Sequence, residues 1–182
     1  MNARSPEDGA PGEIPTIIAA ARALEATGRD VVRLDIGEPA FPTPPHIIEA
    51  GVRALRDGQT KYVAPQGLAA LREAIADAER ARAVDADAAC VVVTSGAKPM
   101  LVFAMLALLT DGDEVLVPDP GYPGYAAAVA LAGGRAVPYA AARSADGFRL
   151  DVEAIRAQIS PRTRAIVVNT PSNPTGAVLD EA

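Results

Sequence analysis

Hydrophobic positions along the chain follow two rhythms. In the first third, Ile17, Ala20, Ala21 and Leu24 recur at helical spacing before Gly28, a candidate C-terminal stop. Ile48, Val52 and Leu55 repeat the pattern, with Thr43 as a cap, Pro44 in the first helical position and Gly58 at the end. Leu68, Leu71, Ile75 and Ala78 mark a third helix with charges between them. From Val91 the rhythm changes. Short apolar runs at 91–94, 114–118, 135–139 and 164–168 read as strands, and helical patterns separate them. These helices are Met100 to Leu109, apolar enough to be buried on most faces, Tyr125 to Leu131, stopped by Gly133-Gly134, and one capped by Asp151 and marked by Val152, Ile155 and Ile159. Strands alternating with helices predict a parallel α/β sheet.

In such sheets ligands bind beyond the carboxyl ends of the strands. Those ends carry Thr94 to Lys98, Asp119 to Tyr122 and Asn169 to Gly176, so the unusual residues gather on one rim. Thr94-Ser95-Gly96-Ala97 turns directly into a helix. Its first-turn N–H groups lack intrahelical partners and sit at the positive end of the helix dipole, which makes 95–98 a potential anion site. Pro99 fits a first turn, where its missing N–H costs nothing. The segments 35–45 and 61–67 are too rich in proline and glycine for regular structure and read as loops, and residues 1–13 read as a polar arm.

With 182 residues, 49% of them hydrophobic, and a mean hydropathy of +0.14, the chain can bury a core. A net charge of −6 and pI near 4.8 argue against nucleic acid as a partner, which needs a basic surface. No apolar run reaches the roughly 20 residues of a membrane span. The first fifteen residues lack a signal-peptide layout, so a cytoplasmic location is expected. The single cysteine, Cys90, starts an apolar run and is expected in the core; His46 is expected at a solvated first-turn position. One histidine, one cysteine and scattered acids supply no metal cluster. Neither a three-glycine dinucleotide fingerprint nor a Walker loop follows the first strand, and there is no G-x-S-x-G.

Five stretches in order carry a family resemblance: Asp35-Ile36-Gly37-Glu38-Pro39; Tyr62 with Gly67 and Leu71-Arg72; Thr94-Ser95-Gly96-Ala97-Lys98; Asp113-Glu114-Val115 with Pro118-Asp119-Pro120-Gly121-Tyr122; and Asn169-Thr170-Pro171-Ser172-Asn173-Pro174-Thr175-Gly176. Together they resemble the class I/II aminotransferases, the fold-type I enzymes that use pyridoxal 5'-phosphate (PLP). The resemblance implies an α/β fold: a PLP-dependent transferase-like large domain, parallel-type sheet with flanking helices, truncated before the sheet is complete. Residues 1–36 would be an N-terminal arm and helix, and 37–182 the incomplete PLP-binding large domain.

It also assigns tasks. Gly96, Ala97 and Lys98 match the loop that holds the cofactor phosphate, and Tyr122 the aromatic residue that stacks on the pyridine ring. Asn173 matches the asparagine that donates to the phenolic oxygen and lies by the substrate. Gly37 resembles the glycine whose backbone approaches the substrate carboxylate, and Tyr62 the tyrosine that reaches the neighbouring subunit's cofactor, which implies a homodimer. Substrates would be an amino acid and a 2-oxo acid. The family's Schiff-base lysine, its acidic partner of the pyridine nitrogen and its distal arginine follow the asparagine motif, whereas the only lysines here are Lys61 and Lys98, neither at that position. No catalytic residue is therefore named, and this chain alone is expected to be inactive. The alternatives are a PLP-dependent lyase or synthase of the same fold, a catalytically dead fragment, and a PLP-sensing regulatory domain, the last disfavoured because the short acidic start leaves no room for a helix-turn-helix.

The resemblance also orders the sheet. Strands 114–118, 135–139 and 164–168 should pair, with 114–118 in the middle, while 91–94 stands apart across a gap that leaves the helix after Lys98 exposed. Asn173-Pro174, and Asp119-Pro120, are expected to be cis.

Overall fold

The computed structural model describes residues 13–34, 37–144 and 147–179. Chain contacts divide it into two compact units, Met1–Lys61 and Tyr62–Ala182. In the first, α1 spans Glu13–Ala26 and α2 spans Pro45–Arg56. Helix α1 thus begins at the last residue of the expected arm; the rest of that arm lies outside the described residues. Helix α2 starts one residue later than expected. Pro44 is its N-cap, Pro45 takes the first position, and Thr43 makes no capping bond, because two prolines already supply the φ that a helix start needs. His46 is exposed there, as expected.

The second unit holds α3 (Ala69–Arg80), a short 3-10 turn (Ala88–Cys90), α4 (Ala97–Leu108), β1 (Glu114–Asp119), α5 (Gly124–Leu131), β2 (Arg135–Ser144), β3 (Gly147–Leu150), α6 (Val152–Ala157) and β4 (Thr163–Ile166). The sheet order is β3-β2-β1-β4. β1 pairs in parallel with β2, from Glu114 opposite Arg135 to Asp119 opposite Ala140, and with β4 on its other side. The expected central place of 114–118 is thus met.

Both faces of β1 are covered, so it reads as a continuous apolar run rather than an alternating one. Val115 and Val117 pack with Met105 and Leu109 from the α4 side and Ala128 and Val129 of α5. Leu116 points to the opposite face, where it meets Tyr139 and Ile155 of α6. Asp151 caps α6 as expected, accepting from the Ala154 N–H at 2.9 Å. Where β1 begins, the buried Glu114 carboxylate accepts from Arg135 Nη2 at 2.6 Å, Ser160 Oγ at 2.7 Å and Arg162 Nε at 3.0 Å. The hydrogen bond from Arg135, then that from Ser160, holds its pKa down at about 2.

Four expectations need correction. Residues 91–94 form no strand: a strand is defined by a hydrogen-bonded neighbour, and β1 has both its sides taken by β2 and β4. The sheet is mixed, because β2 runs past Tyr139 and pairs antiparallel with β3, Ala141 opposite Leu150. Helix α4, read from its composition as buried on most faces, buries one stripe only, with Phe103 57% and Leu106 56% exposed, which meets the other expectation, that a gap beside 91–94 leaves this helix uncovered. Cys90 ends the 3-10 turn and is exposed rather than in the core. Asp119-Pro120 and Asn173-Pro174 are cis as expected, and so is Thr170-Pro171.

Candidate functional site

Three chain crossings meet at the carboxyl end of β1. The first is the start of α4, where Gly96 is the N-cap at φ +102° and Ala97 and Lys98 open the helix. Thr94 Oγ1 donates to the Gly96 carbonyl at 2.7 Å, and the Gly96 N–H donates back to the Thr94 carbonyl at 2.8 Å. The turn is thereby closed on itself, with no capping side chain competing for the first helical N–H groups. Of these, Ala97, Lys98 and Met100 carry donors, while Pro99 has none.

The second crossing links β1 to α5 through Pro120-Gly121-Tyr122-Pro123. Tyr122 and Tyr125, one helical turn apart, meet edge to face with ring centroids 5.4 Å apart and planes at 83°. Gly124 makes room for this, since a Cβ there would lie 2.2 Å from Tyr122 Cε1. Desolvation, then the neighbouring Tyr122, raises the Tyr125 pKa above the ordinary tyrosine value. The third crossing follows β4. Asn169 Oδ1 accepts from the Asn173 N–H at 3.0 Å, and Ser172 bonds Ala177 and Gly176 across the turn, which leaves the Asn173 side chain exposed at the rim.

These crossings enclose an open cleft of about 520 Å³ lined by Ala97, Lys98, Met100, Leu101, Tyr122, Tyr125, Asn169, Pro171 and Asn173. Four residues singled out from the sequence, Ala97, Lys98, Tyr122 and Asn173, therefore share one wall-to-wall space, and Gly96 adjoins it. Tyr62 is fully exposed and does not line it. Gly37 belongs to the other unit, where a Cβ would meet nothing within 4 Å. The sequence puts Asn169 on the rim but does not reveal its part in orienting Asn173, and it marks Tyr125 only as a helix residue. The Tyr-x-x-Tyr spacing was the available signal for the latter.

The chemistry of this lining is specific. It combines helix N-terminal donors and the Lys98 cation with two tyrosine rings and a primary amide. A flat, aromatic, phosphorylated cofactor that carries a ring oxygen fits this donor set.

Residues 29–182 match the family described as aminotransferase class I and II. A probable aspartate/prephenate aminotransferase of Aquifex aeolicus is 42% identical over 172 residues, covering 94% of this chain and 43% of that relative. Among solved structures, an alanine aminotransferase from Pyrococcus furiosus superposes with a TM-score of 0.91 at 38% identity, over 99% of this chain and 47% of that one. An aspartate aminotransferase from Thermus thermophilus, solved with maleate, gives 0.91 at 40% identity, over 100% and 48%. The chain thus spans less than half the length of these relatives.

Proposed function

Because this chain belongs to the class I and II aminotransferase family, we propose that it is the amino-terminal part of a PLP-dependent aminotransferase, which moves an amino group between an amino acid and a 2-oxo acid. The supporting observation is the cleft itself, which joins a helix start without a capping side chain, tyrosine rings and an asparagine amide at one rim. When bound, PLP supplies an electron-accepting ring for the pair released at the substrate's α-carbon.

The chain's own residues bind and orient. The N–H groups at the start of α4 hold the phosphate, and Lys98 adds a point charge beside them. Tyr122 would stack on the pyridine ring, with Tyr125 packed edge to face against it. The Asn173 amide donates to the phenolic oxygen and so stabilises it as the anion, while Asn169 fixes the turn that carries Asn173. Gly37 lets the backbone approach the substrate carboxylate. Tyr62 reaches the cofactor of a second subunit, so the assembly is a homodimer. In this reading 37–182 is the incomplete PLP-binding large domain and 1–36 an arm and helix, working in the cytoplasm.

Calorimetric titration of the chain with PLP tests this. Asn173→Ala should weaken binding by about tenfold to a hundredfold, the worth of one charge-assisted hydrogen bond, while the melting temperature stays put. A large fall in melting temperature with unchanged PLP affinity would make Asn173 a structural turn residue and overturn its role. Borohydride reduction should leave no stoichiometric pyridoxyl group, because neither Lys61 nor Lys98 matches the Schiff-base position; a labelled Lys98 would refute that.

A further inference from the structure

The segment leading into α4 has no strand partner, so its aim must be set by something other than a ladder. Four contacts do this, and all come from residues 66–72. The Val93 N–H donates to the Gln66 carbonyl at 2.9 Å. Arg72, in the first turn of α3, donates from Nε to the Val91 carbonyl at 3.0 Å and from Nη2 to the Ala88 carbonyl. Gly67, at φ +103°, brings its backbone against Val93, where a Cβ would sit 2.7 Å from Val93 Cβ. The guanidinium fork thus bridges two carbonyls three residues apart, one at each end of the 3-10 turn, and gives the Val91 carbonyl the partner that a neighbouring strand would otherwise supply.

We propose that Arg72, seconded by Gly67, is a positioning residue that locks residues 91–96 and thereby aims the anion-holding turn Thr94–Lys98. The turn's use for a phosphate rests on the function proposed above; the lock does not. Arg72 touches neither Lys98 nor the cleft, and acts only through the backbone it grips. A lysine cannot replace it in full, because one ammonium on a flexible stem does not span both carbonyls in the fixed geometry of a planar fork.

Two measurements on the chain, with Arg72→Met, Arg72→Lys and Gly67→Ala, test the lock. In amide hydrogen exchange without ligand, Arg72→Met should speed exchange at 91–98 by about tenfold or more while β1 and β2 amides keep their protection. Gly67→Ala should act at the same amides and Arg72→Lys should fall between. In calorimetric titration, Arg72→Met should lower affinity for PLP by about tenfold and leave that for pyridoxal, which lacks the phosphate, within about twofold. Unchanged exchange at 91–98, or a uniform rise over the whole unit, overturns the proposal. Equal losses for PLP and pyridoxal overturn it as well. If the unsubstituted chain takes up no PLP while Arg72→Met still loosens 91–98 selectively, the lock stands and the cofactor reading falls.

Discussion

Two segments deliver backbone into the same cleft, and they are built on opposite plans. Residues 114–124 form β1 and the turn to α5, with a hydrogen-bonded strand on each side and four consecutive buried residues, 114–117. Residues 91–98 make the same kind of delivery into α4 without a single ladder bond, held from residues 66–72 by one guanidinium, one backbone bond and one tight glycine contact. The first plan spreads its hold over many groups, so no single hydrogen bond decides it. The second concentrates its hold in Arg72 and Gly67, so single substitutions reach it. Even the charges at work where the two segments begin differ in sign. Glu114 is a buried anion gripped by arginines, and Arg72 is a cation gripping neutral carbonyls.

The contrast can be broken by experiment, beginning with the core. Leu116, 1% exposed between Tyr139 and Ile155, should cost about 2–5 kcal/mol of stability when replaced by alanine, read from urea unfolding. A loss below about 1 kcal/mol would mean that the laddered segment is no better held than the other. The acid response should sharpen the picture next. The Glu114 pKa is lowered from 4.5 to about 2, so its stabilisation is complete above pH 4.5 and is lost as pH falls towards 2. Glu114→Gln should therefore flatten the fall of the urea midpoint between pH 5 and pH 2. An unchanged slope would assign acid sensitivity elsewhere. The smallest effect belongs to the unladdered segment: Val92, 59% exposed, should tolerate alanine within about 0.5 kcal/mol.

Much of this plan was legible in the chain, and the reasons for the remainder are physical. The run Glu114 to Pro118 announces a strand buried on two faces, and Asp151 announces its helix, because composition and capping are local properties. Residues 91–94 have the same β-branched composition as a strand yet lack a neighbour, and pairing is not a property of one segment. β3 escaped notice because Gly147-Phe148-Arg149-Leu150 is too short to show a period. In the cleft, Tyr122 and Asn173 stood out through their turns. The supporting roles of Tyr125 and Asn169 are harder to see, since the sequence puts Asn169 on the rim and Tyr125 three residues from Tyr122 but does not say which neighbour each one holds. The exposed stripe of α4 was foreseen only through the gap expected beside residues 91–94, not from its composition, which reads as buried.

Strand β2 changes partner midway, from a parallel ladder at 135–140 to an antiparallel one at 141–144. Under tension these halves respond differently. Handles at Ala140 and Asp151 would load the hairpin one rung at a time, so it unzips at low force. Handles at Glu114 and Ala140 would pull the parallel pair lengthwise, loading all its rungs at once, so it must slip as a block at high force. One continuous strand is thus both a zipper and a splice, and single-molecule stretching from those two attachment points would record two distinct forces.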